Sequence, residues 1–284
     1  VAALLTGCRP LLQVSLMQTL YIGVFLLLLP CCAPAAPEQM WLLLNNTSDS
    51  RDSRGDVDIQ ILALLQQLAP PDLKIEPLRL GDARTWKLLR EQGNYCALSK
   101  IRTAERETFL LFSKRPTSVY PPVQLISNKR LADHPVDLQL LFRQNPRMKI
   151  GIVQGRSYGE KLDELINKYP QHFYQRSGEY AAETLLQMLA KQRLDALLEF
   201  AATARGHQAQ VPQSSYFVAH QLLNQPVIMG YLVCTQSENG QKLIGLIDTK
   251  MQLPHYRKQA IELHRQYFTP EDFLLIEADL LQIF

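Results

Sequence analysis

The stretch Cys96-Ala97-Leu98-Ser99-Lys100-Ile101-Arg102-Thr103-Ala104-Glu105-Arg106, continuing to Phe112-Ser113-Lys114-Arg115-Pro116, decides how this chain is read. Tyr95–Leu98 is a short apolar strand, followed by a polar loop and a helical turn opened by Thr103. Threonine is a good N-cap, so Glu105 and Arg106 fall in a first turn, where unpaired backbone N–H groups collect. A guanidinium held beside the C-terminal end of a strand can receive a carboxylate, because its planar fork donates two parallel charge-assisted hydrogen bonds. Taken alone, Arg106 reads as a surface arginine paired with Glu105 or Glu107. Arg102 reads as a solvated residue on the loop rim, and the Ser99 hydroxyl fits a ligand contact or a simple turn hydrogen bond.

Working outward, the preceding segments alternate regularly. Met40–Leu44 is a strand ending in the polar run from Asn45 to Arg54. Val57, Ile61, Leu64, Leu65 and Leu68 recur at helical spacing, giving an amphipathic helix over 56–69 closed by Pro70-Pro71. Leu73–Leu78 is a strand and Asp82–Gln92 a helix. This rhythm means a parallel sheet covered by helices, and Val123–Ser127 leads out of it. The rhythm then repeats, with helices at Asp137–Gln144, Tyr158–Lys168 and Glu179–Lys191 and strands at Lys149–Val153, His172–Gln175, Leu194–Glu199 and Phe217–Leu222. Val227–Thr235 is a strong strand that would rejoin the first sheet. Three helices finish the chain, at Asn239–Met251, at His255–Tyr267, and after Thr269-Pro270, where a capping threonine precedes a first-turn proline.

The second informative segment is Lys149-Ile150-Gly151-Ile152-Val153-Gln154-Gly155-Arg156-Ser157-Tyr158-Gly159-Glu160: an alternating strand, a glycine turn and a helix start. A helix N-terminus with a nearby hydroxyl captures anions through its partial positive charge and unpaired donors. A third is Lys191-Gln192-Arg193-Leu194-Asp195-Ala196-Leu197-Leu198-Glu199-Phe200. Together, and in this order, the three resemble the "S-x-x-x-T-x-E-R … F-S-x-P", "VGVxxGTT" and "GRxDAxxxD" segments of the periplasmic solute-binding proteins of amino-acid ABC transporters. The resemblance covers nearly all of the chain after residue 40.

It implies an α/β, two-lobed periplasmic binding protein of the second structural type. One lobe would comprise 36–126 and 227–284, the other 127–226, with a ligand cleft between them and a two-strand hinge. It also implies site residues. Arg106 and Ser99 would hold a ligand carboxylate from the first lobe. Ser157 and the Gly155 turn would close on it from the second, with Arg156 and Tyr158 adding charge and a stacking face. Glu199 would meet a cationic group, although the family's carboxylate would fall at Phe200, and one step along a strand changes face. Asp195 would serve the fold near the strand start. The family's aromatic cage after the first strand has no counterpart in Asn45-Asn46-Thr47-Ser48-Asp49-Ser50. The first lobe would set the strands of Cys96 and Cys234 side by side, permitting a disulfide; two buried free thiols are the alternative. The partner would be a small-molecule ligand, with delivery to an inner-membrane permease or a sensor, and the protein would be a monomer.

The bulk numbers narrow the classes. The chain has 284 residues, 46% apolar and 20% charged, which is ordinary globular composition. A net charge of +3 without a basic run, RNP-like aromatics or zinc-finger spacing argues against nucleic acid. Leu20–Leu29 followed by Pro30-Cys31-Cys32-Ala33-Pro34-Ala35 resembles a secretory apolar core with a small-residue cleavage site, so 1–35 is expected to be a leader and the protein to be exported to the periplasm. Met17 could be the initiator. That run is shorter than the ~20 apolar residues of a membrane span. Arg54-Gly55-Asp56 reads as a helix start, and the sequons around Asn45 and Asn46 as chance. No P-loop or dinucleotide fingerprint occurs, and the histidines lack metal-ligand spacing. Neither an enzyme, nor a cofactor, nor a metal is expected.

Overall fold

The computed structural model describes residues 38–45, 57–91, 93–178, 180–207 and 216–284. The expected leader, the Arg54-Gly55-Asp56 tripeptide and most of the polar run after the first strand lie outside the described residues. Strand β1 (Glu38–Asn45), helix α1 (Val57–Leu68), strand β2 (Leu73–Leu80), helix α2 (Asp82–Arg90) and strand β3 (Tyr95–Lys100) give the expected alternation. β1 pairs in parallel with both β2 and β3. A short helix α3 (Ala104–Glu107) follows, with the Thr103 hydroxyl accepting from the Arg106 N–H, and then strands β4 (Leu110–Phe112) and β5 (Ser118–Tyr120).

The chain then builds a second sheet. Its elements are β6 (Gln124–Ser127), α4 (Leu138–Gln144), β7 (Ile150–Val153), α5 (Glu160–Lys168), β8 (Phe173–Arg176), α6 (Ala181–Ala190), β9 (Ala196–Glu199), α7 (Ala201–His207) and β10 (Val218–Gln221). The strands run in the order β10-β6-β9-β7-β8. Strand β11 (Ile228–Thr235) returns to the first sheet and pairs antiparallel with β3, β4 and β5, giving the order β2-β1-β3-β11-β4. Helices α8 (Glu238–Lys250), α9 (Pro254–Tyr267) and α10 (Pro270–Ile283) close the chain. The backbone therefore passes between the sheets at 121–123 and again at 222–227.

Both faces of each sheet are apolar, as a helix-covered parallel sheet requires. On the first sheet Met40, Leu42, Leu44, Cys96 and Leu98 pack with α1, α8, α9 and α10, whereas Leu43, Ala97 and Val233 pack with Trp86 and Leu89 of α2. On the second, Leu125, Ile150, Ile152 and Leu198 face one cluster, while Ile126, Leu197, Leu186 and Leu189 form another. Cys96 and Cys234 sit opposite each other in the β3–β11 register, and their sulfurs are bonded, linking positions 138 residues apart. Among the described residues no helix is long and apolar enough to cross a membrane.

Three elements escaped the sequence. β4 and β5 are three residues each, too short for any periodicity, and α7 follows β9 directly without a turn signal. α5 begins two residues later than expected because Gly159, at φ +93°, turns the chain before it. Asp195 does serve the fold: its Oδ2 accepts from the Lys149 N–H at 2.7 Å, at the start of two adjacent strands. Arg102 is only partly solvated, with its side chain 33% exposed. It donates to the Ser113 carbonyl at 2.6 Å and lies 5.1 Å and 4.5 Å from the Phe112 and Tyr231 rings, because a loop crossing the sheet edge gives its stem an aromatic surface to cover.

α9 is tied to the crossing segment by a buried histidine. His264 Nε2 accepts from the Val119 N–H at 3.0 Å, so its proton sits on Nδ1, which donates to the Ala260 carbonyl at 2.7 Å. Burial lowers its pKa below the usual 6.5, partly offset by the Ala260 bond. The unfolded chain therefore binds more protons as pH falls through 6.5, and stability present above that value is lost toward the lower folded-state pKa. We expect the urea unfolding midpoint to fall between pH 7.5 and 5.5, and less steeply in a His264→Gln variant; equal slopes would remove His264 as the cause.

Candidate functional site

The C-terminal ends of the parallel strands in both sheets point into one cleft, the position where open α/β sheets place ligands. β3 ends there with Ser99 and Lys100, and the turn after β2 brings Asp82 and Trp86 on α2. α1 supplies Asp58 and α3 supplies Arg106. From the second sheet come Arg156 and Ser157 after β7, and Glu199 and Phe200 at the end of β9. Three acids (Asp58, Asp82, Glu199) and three cations (Lys100, Arg106, Arg156) line it, so the cleft is formally neutral.

Most of these charges are already paired within the protein. Arg156 Nη1 donates to Glu199 Oε2 at 2.7 Å, and its Nε lies 3.5 Å from Asp82 Oδ2 across the cleft. Asp82 Oδ1 is 3.3 Å from Lys100 Nζ. Glu199 is 1% exposed and its other oxygen accepts from the Phe200 N–H at 2.9 Å. Burial alone would lower the Arg156 pKa, but the Glu199 and Asp82 carboxylates more than reverse this, so it is held above its ordinary value. Lys100 goes the other way, with burial lowering its pKa against the pull of Asp82 and Asp58. Four residues thus form a buried chain, Lys100–Asp82–Arg156–Glu199, that bridges the two sheets.

Ser99 has φ +54°, a left-handed conformation that serine rarely adopts and that costs of order 1 kcal/mol or more. Its hydroxyl donates to Asp58 Oδ1 at 2.5 Å and lies 2.8 Å from Ser118 Oγ and 3.1 Å from Tyr120 Oη. Ser157 donates to Asp163 Oδ2, and Asp163 Oδ1 accepts from the Tyr158 N–H at 2.8 Å. The start of α5 therefore holds a carboxylate of its own, and is not the open anion receptor its glycine turn implies.

Two further expected site residues lie off the cleft wall. Tyr158 is 2% exposed in the second sheet's core and its hydroxyl accepts from the Val153 N–H at 2.7 Å, so it presents no stacking face. Burial pushes its phenol pKa up. Gly155, at φ +81°, approaches the Trp86 side chain and the Ala83 backbone of α2; a Cβ there would meet Trp86 at 3.3 Å. It serves the close approach of the two sheets' loops.

Arg106 stands apart. Its half-buried guanidinium lies 4.0 Å from the Trp86 ring centroid and donates through Nη1 to the Ile101 carbonyl at 2.8 Å. Burial lowers its pKa, offset in part by Asp163, Glu105 and Asp82. Among the described residues no carboxylate lies within ion-pair distance of it, and Glu105 is instead paired with Arg90 at 2.8 Å.

Sequence reading missed the aromatic wall. Tyr120 of β5 lies 5.4 Å from Phe200 and 5.8 Å from Phe268, ring centre to ring centre, and all three line the cleft. Instead of following the first strand, the rings come from the end of β5 and from the residues just after β9 and α9. Among the described residues no group of three His, Cys, Asp or Glu side chains is placed to hold a metal.

This is the two-lobed α/β fold of the type 2 periplasmic solute-binding proteins, and solved structures of that fold are similar to it. The periplasmic VFT2 domain of BvgS from Bordetella pertussis is 18% identical, with a TM-score of 0.55 over 79% of this chain and 92% of that one. A putative L-cystine ABC transporter protein from Listeria monocytogenes is 12% identical, with a TM-score of 0.62 over 83% and 98%. A probable amino-acid ABC transporter extracellular-binding protein, ytmK of Bacillus subtilis, is 14% identical, with a TM-score of 0.59 over 83% and 99%. No protein-family profile matches the chain, and no curated protein matches it.

Proposed function

We propose that this chain is an exported, periplasmic binding protein without catalytic activity that closes two lobes over a small carboxylate-bearing solute. The lobes would be 36–126 with 227–284, and 127–226, after a leader over 1–35, hinged where the backbone crosses between the sheets. Closing such lobes excludes water and strengthens the charged contacts inside. The observation that carries the reading is Arg106: a half-buried guanidinium on the cleft wall, set on Trp86, whose fork meets one backbone carbonyl and, among the described residues, no carboxylate. The named roles of the similar proteins in amino-acid and cystine transport support delivery to a permease.

A thermal-shift series tests this. Matched carboxylates and carboxamides with the same tail are added at equal concentration. At least one acid is expected to raise Tm by several degrees while its amide does not. Equal shifts, or none with any acid, would reject the carboxylate.

A second reading, a sensory or envelope interaction module independent of transport, is favoured by one observation. The Lys100–Asp82–Arg156–Glu199 chain bridges the sheets using the protein's own groups, so approach of the lobes needs no ligand charge. Likeness to the BvgS periplasmic domain supports the same reading.

A further inference from the structure

Resting on the carboxylate reading of the cleft, we infer that its ligand is an aryl- or alkyl-carboxylic acid that carries no ammonium group. Every acid lining the cleft is engaged within the protein. Asp58 accepts from the Ser99 hydroxyl at 2.5 Å and the Tyr120 hydroxyl at 3.4 Å. Asp82 lies between Lys100 and Arg156, and Glu199 holds Arg156 on one oxygen and the Phe200 N–H on the other. An ammonium approaching Glu199 would have to displace the Arg156 guanidinium from a carboxylate that is 1% exposed, and one approaching Asp58 would have to displace the Ser99 and Tyr120 hydroxyls.

The cations tell the complementary story. Lys100 and Arg156 are committed to Asp82 and Glu199, which leaves Arg106 as the guanidinium lining the cleft without a carboxylate partner among the described residues. A negative charge on the ligand therefore meets Arg106, whereas a positive one meets only carboxylates that already hold donors of the protein. Burying an unmatched charge is costly, so recognition by such a site discriminates strongly. The remaining wall favours an apolar tail: Tyr120, Phe200, Phe268 and Ile228 face the same space.

The test is calorimetric titration of the wild-type protein with two matched pairs: 3-phenylpropionate against phenylalanine, and 4-methylpentanoate against leucine. The acid lacking the amino group is expected to bind at least tenfold more tightly in one pair or both. Amino acids that bind within tenfold of their partners, with neither pair showing the preference, overturn the inference and leave the carboxylate reading standing. Binding of 3-phenylpropionamide as tight as that of 3-phenylpropionate overturns the carboxylate reading as well. Failure of all four acids to bind overturns the aryl or alkyl assignment.

Discussion

Arg106→Ala is expected to weaken binding of a carboxylate ligand by about 10- to 150-fold, the loss of charge-assisted hydrogen bonds worth roughly 1.5–3 kcal/mol. The protein should remain folded. The side chain is only half-buried, and losing its stacking on Trp86 costs about 0.5–2 kcal/mol, against a typical stability of about 5–15 kcal/mol. Arg106→Lys separates charge from geometry: it keeps the cation but not the fork, so its affinity should fall between the two. Titration of the three proteins with one carboxylate reads this directly, and unchanged affinity in the alanine variant would remove Arg106 from the site.

Arg156→Leu is expected to lower stability by about 3–5 kcal/mol, the usual result of removing one partner from a buried ion pair. Glu199 would lose its guanidinium while remaining among the buried residues of β9, and Asp82 would lose the Arg156 cation while keeping Lys100. The same variant should change selectivity. With Arg156 gone, two carboxylates face the cleft, and phenylalanine should gain on 3-phenylpropionate relative to the wild type. Urea unfolding and paired titrations measure both effects. A variant as stable as the wild type would mean that the inter-sheet chain contributes little, and the balance would lie with the desolvation that such pairs incur.

Much of the architecture was legible because it rests on periodicity. The alternation from Met40 to Leu98 and again from Lys149 to Glu199 defines two helix-covered sheets, and the strand at 228–235 had to pair somewhere with free edges. Arg106 was legible too, since the Thr103 cap fixes where its side chain begins. What sequence could not carry was the pairing of side chains across the cleft. Arg156 and Glu199 were recognised as cleft residues, yet the partners of Arg156 come from segments tens of residues away, Asp82 from α2 above all, and Ser157 is held by Asp163 within its own helix start. Tyr158 misled because a tyrosine beside a glycine turn looks exposed, whereas its hydroxyl satisfies the Val153 N–H five residues back inside the core. The aromatic wall was invisible for the same reason: Tyr120, Phe200 and Phe268 are scattered singly through the sequence and meet only when both crossings between sheets are made.

Lys100 and Asp82 did leave a signal. Each stands at the C-terminal end of a parallel strand or two residues beyond, where α/β sheets gather functional groups. Weighing position on the strand above likeness to a motif would have found both.

The most direct measurement is a crystal structure of the protein with the tightest-binding carboxylate. We expect one or both carboxylate oxygens within about 2.7–2.9 Å of the Arg106 guanidinium nitrogens, with Arg156 still bridging Asp82 and Glu199. A carboxylate seated on Lys100 or on the outer surface, with the Arg106 fork unchanged, would contradict it.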